Sequence, residues 1–92
     1  MIFEWDEAKN QANIRKHGID FNDAMELFQQ PYLAHPDGRE DYAEERWINL
    51  GRIRSLIGVV VSTEREGDVV RIISARKATR REARHYVETI ED

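Results

Sequence analysis

The stretch Leu56-Ile-Gly-Val-Val-Val-Ser-Thr-Glu-Arg-Glu-Gly-Asp-Val-Val-Arg-Ile-Ile-Ser-Ala75 determines how this chain folds. Leu56 to Thr63 is its most apolar run, and the Val59-Val60-Val61 centre suits a strand covered on both faces. Glu66-Gly67-Asp68 has the composition of a hairpin turn, so Val69 to Ala75 pairs back on the strand before it. Simple alternation along this second strand puts Val70, Ile72 and Ser74 on one face. Val69, Arg71, Ile73 and Ala75 then take the other.

Working upstream, Met1 to Trp5 reads as a short edge strand. Asp6 is placed to cap a helix from about Glu7 to His17, ended by a left-handed Gly18 with Lys16 and His17 in its last turn. Asp20 or Asn22 caps a second helix, whose Phe21, Ala24, Met25 and Phe28 form one apolar stripe before Pro31 stops it. Tyr32 to His35 is a short strand, Pro36-Asp37-Gly38 a turn, and 39–45 an exposed polar loop. Arg46 to Gly51 resumes apolar content. Trp5 and Trp47 read as core. Downstream, Thr79-x-x-Glu82 is a capping box that starts a last helix. That helix exposes Arg80, Arg81 and Arg84 and packs Ala83, Tyr86, Val87 and Ile90. The order is strand, two helices, about four antiparallel strands, one helix. It predicts an α+β fold in one domain, residues 1–92: a twisted antiparallel sheet of about four to five strands with two N-terminal helices and one C-terminal helix.

Charge is unevenly spread. The chain carries a net charge of -4, yet Arg71 to His85 holds six Lys/Arg against one acid. Residues 1–45 carry four Lys/Arg against eleven Asp/Glu, and residues 46–92 ten against seven. This is not the uniformly basic profile of a non-specific nucleic-acid binder. A local cationic site suits a phosphate-bearing or acidic partner, while the plain alternative is that the two halves neutralise each other across the fold. The lack of cysteine excludes disulfides and thiolate metal sites and fits a reducing cytoplasm. The N-terminus lacks a secretory leader's pattern, and no window nears the roughly 18 apolar residues of a membrane span. No repeat appears, and no helix-turn-helix spacing supports a stand-alone DNA-binding repressor.

Several ordered residues carry a resemblance. They are Phe3-Glu4-Trp5-Asp6, Lys9-Asn10, Asn13, Lys16-His17-Gly18-Ile19, Phe21, Ala24, Glu45-Arg46, Gly51, Thr63 and Arg65. The set ends with Arg71-Ile72-Ile73-Ser74-Ala75-Arg76-Lys77-Ala78, Thr79, Glu82 and Tyr86. Nearly end to end, the chain resembles the BrnT toxins of bacterial type II toxin–antitoxin modules. The resemblance implies a RelE-like fold and a ribonuclease that cleaves RNA and arrests translation. It also implies a neutralising BrnA-like ribbon-helix-helix antitoxin, in a heterotetramer of two toxins and two antitoxins that reaches operator DNA only through the antitoxin. The chain departs from the pattern at Asp37 to Glu44, which lacks a His-Ser pair, and in the short segment Gly51 to Leu56.

RNA cleavage requires a proton taken from the 2'-hydroxyl, charge stabilised on the phosphorane and a proton given to the leaving 5'-oxygen. His17, His35 and His85 are scattered, no His/Asp/Glu set has ligand spacing, and no cofactor is called for. The expected chemistry is cationic. Arg65 and Arg71 flank the hairpin, and Arg76, Lys77 and the start of the last helix could grip one phosphate. Arg71 could equally pair with an acid of the first half. His17 is a candidate general acid or base, or simply a helix cap. Glu45 could act as a base or pair with Arg46. Lys9, Lys16, Arg80, Arg81 and Arg84 are candidate RNA contacts, the three arginines equally a solvated face or an antitoxin contact. Tyr86 could stack on a base or belong to the core. The basic cassette and the end-to-end resemblance favour a metal-free endoribonuclease toxin, and the alternative is a non-catalytic toxin-like module that acts with its partner as an operon co-repressor.

Overall fold

A computed structural model describes residues 1–39 and 44–92. Strand β1 (Ile2–Glu4) leads to helix α1 (Glu7–His17) and to α2 (Phe21–Ala24), which tightens into a 3-10 turn over Met25–Gln29. Strands β2 (Leu33–Pro36), β3 (Arg46–Ile53), β4 (Leu56–Arg65) and β5 (Val69–Lys77) follow. Helix α3 (Arg80–Tyr86) and a π-helical turn over Val87–Glu91 end the chain. The sheet order is β1-β5-β4-β3-β2.

Both ends of α1 and the starts of α2 and α3 form where the sequence predicts them. Asp6 accepts hydrogen bonds from the Ala8 and Lys9 amides, and Gly18 (φ 75°) donates to Ile14 O. Asp20 is the cap of α2, accepting from the Asn22 amide. The predicted apolar stripe shifts, because the 3-10 turn has about three residues per turn. Phe21, Ala24 and Leu27, at that spacing, are the fully buried ones, while Met25 and Phe28 are half-buried.

The antiparallel expectation holds for β2–β3–β4–β5, whereas β1 lies parallel to β5, so the sheet is mixed. Some sixty residues separate β1 from β5, and no hairpin fixes their relative direction. The hairpin itself forms at Gly67 and Asp68, both with positive φ. Its register carries a bulge: Val61 faces Ser74 but Ser62 faces Ile72, leaving Ile73 as an extra residue on β5. The bulge overturns the simple alternation. Ala75 joins Ile72 on the face covered by α1 and α2, and Ser74 moves to the other face.

Two cores result. On one face Ile19, Phe21, Ala24 and Leu27 pack on Ile53, Val60, Ile72 and Ala75, with Trp5 half-buried against them. On the other, Tyr86 and Ala78 pack on Leu50 and Val59, with Ala83 and Ile90 alongside. Val87, predicted to pack, is exposed. The inward side of α1 is polar. Asn13 donates to Ile19 O and Ala75 O and accepts from the Ala75 amide, and buried Asn10 accepts from the Phe21 amide. The expected loop over 39–45 falls mostly on residues outside the described ones. Among the described residues no helix is long and apolar enough to cross a membrane.

Candidate active site on the open sheet face

Helix α3 covers only part of its face of the sheet. The strand registers give what the rest of that face presents, row by row. Arg46, Thr63, Arg71 and Glu4 form one row across four strands, and His35, Ile48, Val61 and Ser74 the next. Leu33, Leu50, Val59 and Arg76 form a third, partly under α3. Arg65 opposes Val69 at the hairpin end. Because of the extra residue at Ile73, Arg71 and Arg76 share this face, although an odd and an even position in a regular strand would not.

Two hollows lie side by side on this face. A cavity of about 320 Å³ is lined by His35, Ile48, Leu50, Val59, Arg81, Glu82 and His85. A smaller one of about 90 Å³ is lined by Arg39, Ile48, Val59, Val61, Ser74 and Arg76. They share Ile48 and Val59, so they adjoin on one apolar floor, with Arg81, Glu82, Arg76 and Arg39 at their rims. Ser74 also borders a shallow groove of about 230 Å³ around the edge of β5, where Lys9, Asn13, Lys16, His17 and Ile73 meet.

Carboxylates already hold the arginines. Arg76 grips Glu82 through two bonds of 2.8 and 3.0 Å. That contact pulls the Glu82 carboxyl down to about 2 and raises the Arg76 guanidinium. Glu82 also accepts from the Thr79 amide, completing the predicted capping box. A side-chain carboxylate thus sits at the start of α3, where a phosphate was expected. Arg71 donates to Glu4 at 2.7 Å, the pairing with a first-half acid that the sequence left open. Arg65 lies 3.6 Å from both Glu4 and Glu44, and Arg39 pairs with Asp37 at 2.9 Å.

The candidate residues therefore divide. Arg65, Arg71 and Arg76 share one face. Lys77, next in register to Arg76, alternates to the opposite face, so the two do not converge on one phosphate. Lys9, Lys16 and His17 cluster at the β5 edge, and Arg80, Arg81 and Arg84 are exposed on α3, with Arg81 alone lining the groove. Tyr86 leaves the set of RNA contacts: its ring is buried and its hydroxyl donates to Pro31 O at 2.9 Å. The sequence reading missed His35, His85, Arg39 and Arg46 as residues of this face. Period-two alternation could place His35 opposite its neighbours in β2, but only strand register aligns it with Ser74. Among the described residues no group of three or more His, Asp or Glu is placed to hold a metal ion.

Comparisons with known proteins match this architecture to one family. Residues 5–82 match the family model described as the ribonuclease toxin, BrnT, of type II toxin–antitoxin systems. The crystal structure of the Brucella abortus ribonuclease toxin BrnT is similar at 30% identity and a TM-score of 0.66, covering 87% of this chain and 100% of that one. Comparison with curated proteins returns no match. The family match spans both helices of the N-terminal layer, the whole hairpin and the start of α3, and the chain belongs to the BrnT family of ribonuclease toxins of type II toxin–antitoxin systems.

Proposed function

We propose that residues 1–92 act as one endoribonuclease domain that cuts RNA without a metal and thereby inhibits translation in the bacterial cytoplasm. The observation that carries this is the pair of adjoining hollows, which sets two imidazoles beside guanidinium groups on a shared apolar floor. Guanidinium groups can take the charge that develops on a phosphorane. Arg65, Arg71 and Arg76, with Arg39 and Arg81, supply that charge, and Lys9, Lys16 and His17 extend the cationic path around the β5 edge. A BrnA-like ribbon-helix-helix antitoxin neutralises the toxin in a complex of two copies of each, and operator DNA is reached through the antitoxin.

One observation favours a second reading, a non-catalytic module acting with its partner: Arg39, Arg65, Arg71 and Arg76 each already hold a carboxylate. The test is expression of this chain alone in a bacterial host, followed by incubation of the purified protein with RNA in excess chelator. Growth arrest, RNA fragments that persist in chelator, and relief by the co-expressed antitoxin are expected. Normal growth and intact RNA at confirmed folded expression would establish the second reading instead.

A further inference from the structure

We propose that His35 and His85 are the acid–base pair of the cleavage, His35 as the general base and His85 as the general acid, on a ribonucleotide seated in the cavity between them. The proposal rests on the ribonuclease reading above and names the groups that move its protons.

The two imidazoles reach the same cavity from different elements, His35 from edge strand β2 and His85 from α3. Both are exposed, so neither serves as core. The floor of Ile48, Leu50 and Val59 suits the flat face of a base or ribose, and the volume of about 320 Å³ is at the low end for small-molecule sites. Arg81 lies one helical turn before His85 and lines the same cavity, placing a cation where a phosphate must sit.

The roles follow from how each ring is held. His35 Nδ1 lies 3.4 Å from Pro36 O, a carbonyl that can only accept, so a bond there needs the proton on Nδ1. In the neutral ring that leaves Nε2 as a bare lone pair, the form a base requires. His85 Nδ1 lies 3.5 Å from Thr89 Oγ1, a hydroxyl that can donate to the ring or accept from it. The contact therefore tolerates the protonated ring, and Nε2–H remains available to donate into the cavity.

The step balances without a further reactant. His35 Nε2 takes the 2'-hydroxyl proton, and the 2'-oxygen bonds to the adjacent phosphorus. The bond from phosphorus to the 5'-oxygen breaks, and His85 Nε2 gives that oxygen its proton. One product ends in a 2',3'-cyclic phosphate and the other in a 5'-hydroxyl.

The experiment compares full-length wild type, His35→Gln, His85→Gln and His17→Gln on two oligoribonucleotides containing a cut site mapped on cellular RNA. One carries the natural 5'-oxygen at the scissile bond and the other a bridging 5'-sulfur, whose thiolate leaves without a proton. On the oxygen substrate His35→Gln and His85→Gln should each be slower by about 10²–10⁴-fold. On the sulfur substrate His85→Gln should return to within about tenfold of wild type, while His35→Gln stays slow. Full-rate cleavage of the oxygen substrate by either variant, loss of both substrates by His85→Gln, or sulfur rescue of His17→Gln instead would overturn the assignment. Failure of the wild type to cut either RNA would be distinct, removing the ribonuclease reading and this assignment with it. Thermal melts of both variants at the wild-type midpoint are expected, since neither side chain is buried.

Discussion

Glu82 plays two roles with one carboxylate. It closes the cap of α3 on the Thr79 amide and holds the Arg76 guanidinium in a two-bond grip. Its carboxyl falls from 4.5 to about 2, chiefly through Arg76. A depressed carboxyl stabilises the fold above its ordinary range, and that contribution is lost as pH falls from about 4.5 to about 2. The Arg76 and Glu82 side chains remain 39% and 32% exposed, so water screens the pair and leaves it about 1–2 kcal/mol. Glu82→Gln should lose that amount in urea denaturation at pH 7, and the gap should close near pH 2. A gap unchanged by acid would place the loss in the cap rather than in the ion pair. The sequence marked both residues, but assigned Glu82 only to the cap and Arg76 to a phosphate. Nothing local reveals that a carboxylate six positions away fills the guanidinium fork.

The pairing of α1 with β5 depends on an asparagine where a hydrophobic side chain would be expected. Asn13 imitates a peptide group: it bonds both the amide and the carbonyl of Ala75, on the side of β5 that short β1 leaves uncovered, and the carbonyl of Ile19. Asn13→Ala would strand those buried polar groups. Stability should drop by about 3 kcal/mol in chemical denaturation, while a loss below about 1 kcal/mol would mean that water replaces the side chain. Helix α1 was legible from its caps, Asp6 and Gly18. Its inward face was not, because periodicity searches look for apolar residues and this face buries Asn10 and Asn13. The bulge at Ile73 was equally hidden: an extra residue costs the alternation one step and leaves no mark in residue type.

Charge links the two halves of the chain. Arg54 of the β3–β4 turn pairs with Asp23 and Glu26, and Arg65 and Arg71 both reach Glu4. The expectation of mutual neutralisation is thus met in part, and even the arginines of the candidate site hold carboxylates, Arg39 on Asp37 and Arg76 on Glu82. Glu82, Glu91, Asp20 and Glu7 are all lowered from their ordinary values, chiefly through Arg76, Arg52, the Asn22 amide and the Gln11 side chain respectively. All four shifts have the same sign, so their stability is present above about pH 4.5 and drains away below it. Thermal melting from pH 7 downward should show a midpoint that changes little to about pH 5 and then falls steeply. A midpoint that holds to pH 2 would show that these carboxylates contribute nothing to the folded state.

Residue order settled the elements, because caps, turns and apolar runs are local: Asp6, Gly18, Gly67 and the Thr79–Glu82 box each act within a few residues of themselves. It also settled the family, since the matching positions run in sequence along the chain. Which side chains share the groove was settled only by packing. Register across four strands sets His35 in line with Ser74, the bulge at Ile73 returns Arg76 to the face of Arg71 and sends Lys77 away, and the partial cover of α3 leaves that face open. These depend on contacts between residues tens of positions apart, where a single extra residue exchanges one face of a strand for the other.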